Sequence, residues 1–156
     1  MTSPATPAWL DALARLDDAS ATSRPDRSGL TRPTALEYLG KAVAQRLAPD
    51  DVDLILTWDR TDDATLGHVV ARELGIDVAL VFEPAEGQLS FDRDPTPGQK
   101  VAFIGISFGW QNSIRAPVAF VAGRGARVVR VAALAESPVM PSELGDPSVF
   151  LTVSAP

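Results

Sequence analysis

The sequence predicts an α/β fold, a mainly parallel sheet with flanking helices, preceded by an N-terminal helical arm. Three observations carry this expectation. Short apolar runs rich in Val, Ile and Leu recur from Asp51 onward, as strands covered on both faces require. An amphipathic stretch of helical period lies between the first two runs, which is the alternation of a βαβ unit. The chain has 156 residues, 46% of them hydrophobic and 22% charged, enough for one self-supporting core and too few for two.

Taken in order, Trp9, Leu10, Leu13 and Leu16 recur at helical spacing and predict a short amphipathic helix. Residues 19–33 are rich in Ser, Pro, Gly and Asp and predict an irregular segment. Residues 1–33 therefore read as an arm and residues 34–156 as the α/β domain. Thr34 offers an N-cap and Glu37 completes a capping box for a helix through Leu36, Leu39, Val43 and Leu47, closed by Pro49. Strands follow at residues 52–57, 78–82, 101–106 and 128–134. The helix after the first strand takes Asp62 or Asp63 as its cap, Leu66, Val69, Val70 and Leu74 as its buried stripe, and Gly75 as its left-handed end. Pro84, Gly87, Pro95, Pro97 and Gly98 around Gln88-Leu89-Ser90-Phe91 predict a hairpin excursion over residues 83–99. A last helix covers residues 114–122, with Pro117 tolerated only in its first turn and Gly123 and Gly125 ending it. Residues 149–153 read as an edge strand.

Composition removes several function classes. The net charge of −6 repels polyanions, so neither nucleic acid nor an anionic membrane is an expected partner. With no cysteine there is no disulfide, thiolate metal site or cysteine nucleophile. Residues 1–10 lack a signal-peptide pattern and no apolar run approaches the roughly 20 residues of a membrane span, so a soluble, cytoplasmic protein is expected. His68, the single histidine, sits in the stripe region of the first βαβ helix without a triad's partners and is given a structural role.

In an open parallel sheet, ligands bind beyond the carboxyl ends of the strands. Two loops qualify, residues 57–63 and residues 107–113. In the first, Asp59, Asp62 and Asp63 either offer oxygens to Mg²⁺ or complement the helix start, and the second reading is the stronger. Arg60 is placed to meet a phosphate. Trp58 either stacks on a flat ligand or fills the space between helix and loop. In the second loop, Ser107, Gly109, Asn112 and Ser113 can surround an anion with hydroxyl and N–H groups. Phe108 and Trp110 add either a stacking wall or a plug, with the plug preferred. Arg115, in the first turn of the last helix, supplies a cation to an anionic ligand. It belongs to a locally basic third: residues 101–156 hold four arginines and three acids, against ten basic and seventeen acidic residues in 1–100.

Over about residues 34–136 the order of parts resembles the type I phosphoribosyltransferases of the orotate-phosphoribosyltransferase-like kind. The likeness lies in the helix with Leu36-Glu37-Tyr38-Leu39-Gly40, the strand, loop and helix from Leu54 to Gly75, Pro97-Gly98-Gln99-Lys100-Val101, and Ser113 opening the helix before Gly125-Ala126-Arg127-Val128-Val129. The resemblance implies that the loop at residues 57–63 faces pyrophosphate. It also implies two adjacent acids near the end of the third strand, then a Thr- and Gly-rich phosphate loop. Here Gly105 and Ile106 stand at the acidic positions, and the loop reads Ser107-Phe108-Gly109-Trp110-Gln111-Asn112. In the family the paired acids hold the ribose hydroxyls and support an oxocarbenium-like charge, which Gly and Ile cannot do. The excursion at residues 83–99 is also too short for the family's catalytic loop.

The resulting expectation is a catalytically degenerate protein with no catalytic residue and no resident cofactor or metal, Mg²⁺ entering only if it is active. Trp58, Asp59, Arg60, Ser107, Gly109, Trp110, Asn112, Ser113 and Arg115 form its ligand-binding set. It would act as a non-catalytic partner subunit or as a binder of phosphorylated ribose or a nucleotide. One alternative is an active phosphoribosyltransferase in which Asp59, Asp62 or Asp63 replaces the missing pair. Another is a structural protein that assembles through its arm. A homodimer or a partner protein is expected by analogy.

Overall fold

Leu54–Trp58 (β1) is a run of five residues that are all buried, and it occupies the interior of the sheet as its composition demands. The computed structural model describes residues 33–85, 87–106, 108, 114–134 and 150–152. Around β1 stand Asp77–Ala85 (β2), Gln88–Phe91 (β3), Lys100–Gly105 (β4), Arg127–Ala133 (β5) and Phe150–Thr152 (β6). Among the described residues the sheet has six strands in the order β3-β2-β1-β4-β5-β6. Only the β2–β3 pair is antiparallel; β1 pairs in parallel with β2 and β4, β4 with β5, and β5 with β6. The predicted hairpin excursion and the edge strand are both present, and each of the four predicted strands is found within a few residues of its expected ends.

The helices are Pro33–Leu47 (α1), Thr61–Leu74 (α2) and Arg115–Gly123 (α3). Two sequence expectations are corrected at their starts. Thr34 lies inside the first turn of α1 because the helix begins at Pro33, whose fixed φ suits the first helical position. Neither Asp62 nor Asp63 caps α2: the N-cap is Arg60, extended at φ −126° and ψ 140° with no side-chain cap, so both acids fall within the first turn. The far end of α2 is as expected. Gly75 takes φ 69°, its N–H donates to Arg72 O, and the Ile76 N–H donates to Ala71 O, closing the helix in a Schellman motif. Pro117 is third in α3, where its missing N–H has no intrahelical partner to lose. His68 is also corrected: it is exposed on α2 and takes no part in the buried stripe. The predicted arm helix lies outside the described residues.

Strand alternation sorts the core into two layers. Ile55 of β1, Ala102 and Ile104 of β4 and Ala132 of β5 face α1 and α2, where Leu36, Leu39, Val43, Leu66 and Val70 complete one cluster. Leu54, Leu56 and Trp58 of β1, Val81 of β2, Val101 and Phe103 of β4 and Val131 of β5 face the other way, onto Phe108, Ile114 and Val121. A register shift between β4 and β5, from Val101↔Val128 to Ala102↔Arg130, turns Arg130 toward the α1 side. There it holds Asp50 through Nε at 2.7 Å and a second guanidinium N–H at 3.1 Å. The β2–β3 hairpin folds onto α3, with Phe91 stacked on Phe120 at 4.0 Å and the Arg124 guanidinium 4.7 Å from the Phe120 ring centre. Among the described residues no helix is long and apolar enough to cross a membrane.

Candidate functional site

After β1 the chain moves through α2 to β2 on one side, whereas β4 pairs on the other side of β1. The carboxyl ends of β1 and β4 thus flank a topological switch point, the position where open α/β sheets bind ligands. Four residues stand at that point: Trp58, Asp63, Gly105 and Phe108.

Trp58 ends β1 and is buried, its ring edge-on to Phe103 with centroids 6.2 Å apart. Among the described residues its Nε1 has no hydrogen-bond partner, and neither does Oγ1 of the adjacent, fully buried Thr57. The loop that follows is pinned through its backbone. The Asp59 N–H donates to Val81 O and the Arg60 N–H to Trp58 O, both at 2.8 Å. The Asp59 and Arg60 side chains are exposed, and Asp62 is half-buried.

Asp63 behaves differently from its neighbours. It is 3% exposed, and its Oδ1 accepts the Ile106 N–H at 2.7 Å, so a carboxylate from α2 sits against the backbone just past β4. Ile106 O in turn accepts the Leu134 N–H at 3.1 Å, which fixes this end of β4 on both sides. Asp63 as an anchor of β4 is the site residue that sequence reasoning missed, because an acid in a helix's first turn has a sufficient local explanation.

Phe108 lies beyond β4, 3% exposed, with its ring stacked on Phe103 at 5.3 Å and 26°. It covers Gly105. A Cβ at position 105 would stand 2.8 Å from Cε1 and Cζ of the Phe108 ring and 3.4 Å from Asp63 Oδ1, so only glycine fits beneath the phenyl group. Arg115 is exposed at the start of α3. Ser107, Gly109, Trp110, Asn112 and Ser113 lie outside the described residues. Of the predicted ligand set, Trp58 is thus buried at the switch point, while the Asp59, Arg60 and Arg115 side chains face outward.

Asp59 is exposed and Asp63 is directed at a backbone N–H, and among the described residues no three His, Asp or Glu side chains gather to hold an ion. These residues do not fit a resident cation.

The whole arrangement matches solved structures of one fold. Adenine phosphoribosyltransferase from Thermoanaerobacter pseudethanolicus superposes with a TM-score of 0.75 at 16% identity, covering 94% of this chain and 98% of that one. Adenine phosphoribosyltransferase from Trypanosoma brucei, solved with AMP, pyrophosphate and ribose-5-phosphate, gives 0.68 at 17% identity over 99% of this chain and 82% of that one. UMP synthase from Leishmania donovani gives 0.66 at 17% identity over 94% of this chain, which spans 34% of that longer protein. No protein-family model and no curated protein sequence matches the chain. The fold is that of the type I phosphoribosyltransferases. Adenine phosphoribosyltransferases and UMP synthase are both among its neighbours, and the type I fold they share is the one the sequence resemblance implied.

Proposed function

We propose that this protein is a non-catalytic member of the phosphoribosyltransferase fold that binds a phosphorylated ribose or a nucleotide. The observation that carries the reading is the Phe108 ring packed on Gly105, where the family resemblance places an acid. Transfer from a phosphoribosyl donor develops positive charge on the sugar, and a site accelerates it by holding fixed opposite charge there; each such group lost costs about 3–4 kcal/mol of barrier. Asp63 Oδ1 would stand 3.4 Å from a Cβ at position 105, but the carboxylate is buried and this oxygen accepts the Ile106 N–H, so it is engaged by backbone rather than presented to a sugar diol. Arg60, exposed at the start of α2, is suited to attract an anionic ligand. Such a role belongs in the cytoplasm with the phosphorylated metabolites.

The test is to incubate the full chain with 5-phosphoribosyl-1-pyrophosphate, Mg²⁺ and a panel of purine and pyrimidine bases, while titrating ribose 5-phosphate and AMP calorimetrically. Binding heat for at least one of the two ligands with no pyrophosphate release is the expected result. Release of pyrophosphate with any base would overturn the non-catalytic reading, and the absence of heat with both ligands would overturn the binding reading.

A further inference from the structure

We infer that Asp63 is a positioning residue that fixes the start of α2 to the end of β4, so that the two sides of the switch point meet a ligand as one unit. The inference rests on the binding reading above and names a bond that holds the site in shape. Three observations support it. The ladder between β1 and β4 runs from Leu54↔Val101 to Thr57↔Ile104 and stops there, so Trp58 and Gly105 lie past the last backbone pairing of the two strands. Two residues beyond that pair, the Ile106 N–H donates to Asp63 Oδ1 at 2.7 Å, and α2 takes up the link that the ladder has dropped. Each end of this bond is tied to its own side of the sheet. The Ala64 N–H donates to Arg60 O at 2.7 Å and the Asp59 N–H to Val81 O at 2.8 Å, while Ile106 O accepts the Leu134 N–H at 3.1 Å. The residue is 3% exposed, so water does not compete for the amide, and a bond to a charged acceptor is among the stronger ones. Arg60, three residues before Asp63, is thereby held in place relative to the end of β4.

The consequence for affinity follows from population. If loss of the bond leaves the two sides correctly placed about one-tenth of the time, the apparent dissociation constant rises about tenfold. The experiment compares the full native chain with Asp63→Ala and Asp63→Asn, using urea melts to establish folding. Calorimetry with ribose 5-phosphate is expected to show binding about tenfold weaker in Asp63→Ala and largely restored in Asp63→Asn, whose amide oxygen still accepts the Ile106 N–H. Hydrogen exchange of four backbone amides tests the coupling without ligand. In Asp63→Ala the Ala64 and Leu134 amides, one on each side of the bond, are expected to quicken about tenfold more than those of Asp53 and Ile76, which are bonded at the opposite edge of the sheet. Equal acceleration of all four overturns the inference, since Asp63 then supports the whole fold. Acceleration on one side of the bond alone also overturns it, as does ribose 5-phosphate binding by a folded Asp63→Ala as tight as that of the native chain. Should Asp63→Ala fail to fold, Asp63→Ser, whose hydroxyl is too short to reach Ile106, is read by the same criteria. No heat from the native chain with either ribose 5-phosphate or AMP removes the binding reading, and the exchange pattern then decides the coupling by itself. Turnover by the native chain would remove only the non-catalytic reading.

Discussion

Asp63 stands third in α2, where an acid complements the partial positive charge of the helix start whatever else it does. Its carboxylate nonetheless leaves its own helix to receive a backbone N–H from a residue 43 positions away. Because the bond is buried, its loss leaves a donor with no access to water, and Asp63→Ala is expected to destabilise the fold by about 1.5–3 kcal/mol. Urea unfolding should show this as a lower midpoint at unchanged slope. Asp63→Asn keeps an acceptor oxygen of the same reach and is expected to lose less than half as much. Equal losses in the two variants would mean that position 63 needs the charge itself rather than an acceptor. Phe108 and Gly105 pose the complementary case at the same scale. There it is the absence of a side chain that admits a neighbour, so substitution at either position is felt at the other.

Among the elements, α1 and α2 meet at a point that tolerates no side chain. A Cβ on Gly40 would lie 2.3 Å from Val69 Cγ1 and 2.8 Å from Val69 Cβ, the latter rooted in the α2 backbone. Gly40→Ala adds about 1 kcal/mol of helix propensity, but overpacking of this kind costs about 1–3 kcal/mol, and the net expectation is a loss of stability. Val69→Ala in the same chain should recover part of it, and a double-mutant cycle in urea would measure the coupling; strictly additive effects would rule out the close contact. The elements themselves were legible in the sequence. Parallel strands buried on both faces read as apolar runs, and α2 announces itself by Leu66, Val69, Val70 and the Gly75 stop. Their starts were less legible, because an N-terminus can be set by backbone alone: Pro33 begins α1 ahead of the capping pattern at Thr34, and extended Arg60 begins α2 without any side-chain cap. His68 was misplaced for a related reason, since its position two residues after Leu66 falls near the stripe but on the exposed side of it.

At the scale of the molecule, the switch point beyond β1 and β4 was legible, because it needs only the strand order. What fills it was not. The Asp63 contact with Ile106 and the seat of Phe108 on Gly105 join segments whose relative placement depends on the packed sheet, and neither leaves a local pattern in the chain. The same packing bears on the residues that precede it. Among the described residues, the clusters on both faces of the sheet are built from positions 35–134, with α1 and α2 covering one face and α3 and the hairpin the other. Clusters built from these positions predict a fold that does not depend on residues 1–32. Deleting those residues is therefore expected to preserve the near-UV circular dichroism and a single cooperative urea transition. A transition that broadens or loses cooperativity would mean that Trp9, Leu10, Leu13 and Leu16 complete the core. A fall in subunit number by light scattering, with the fold intact, would instead assign the arm to assembly.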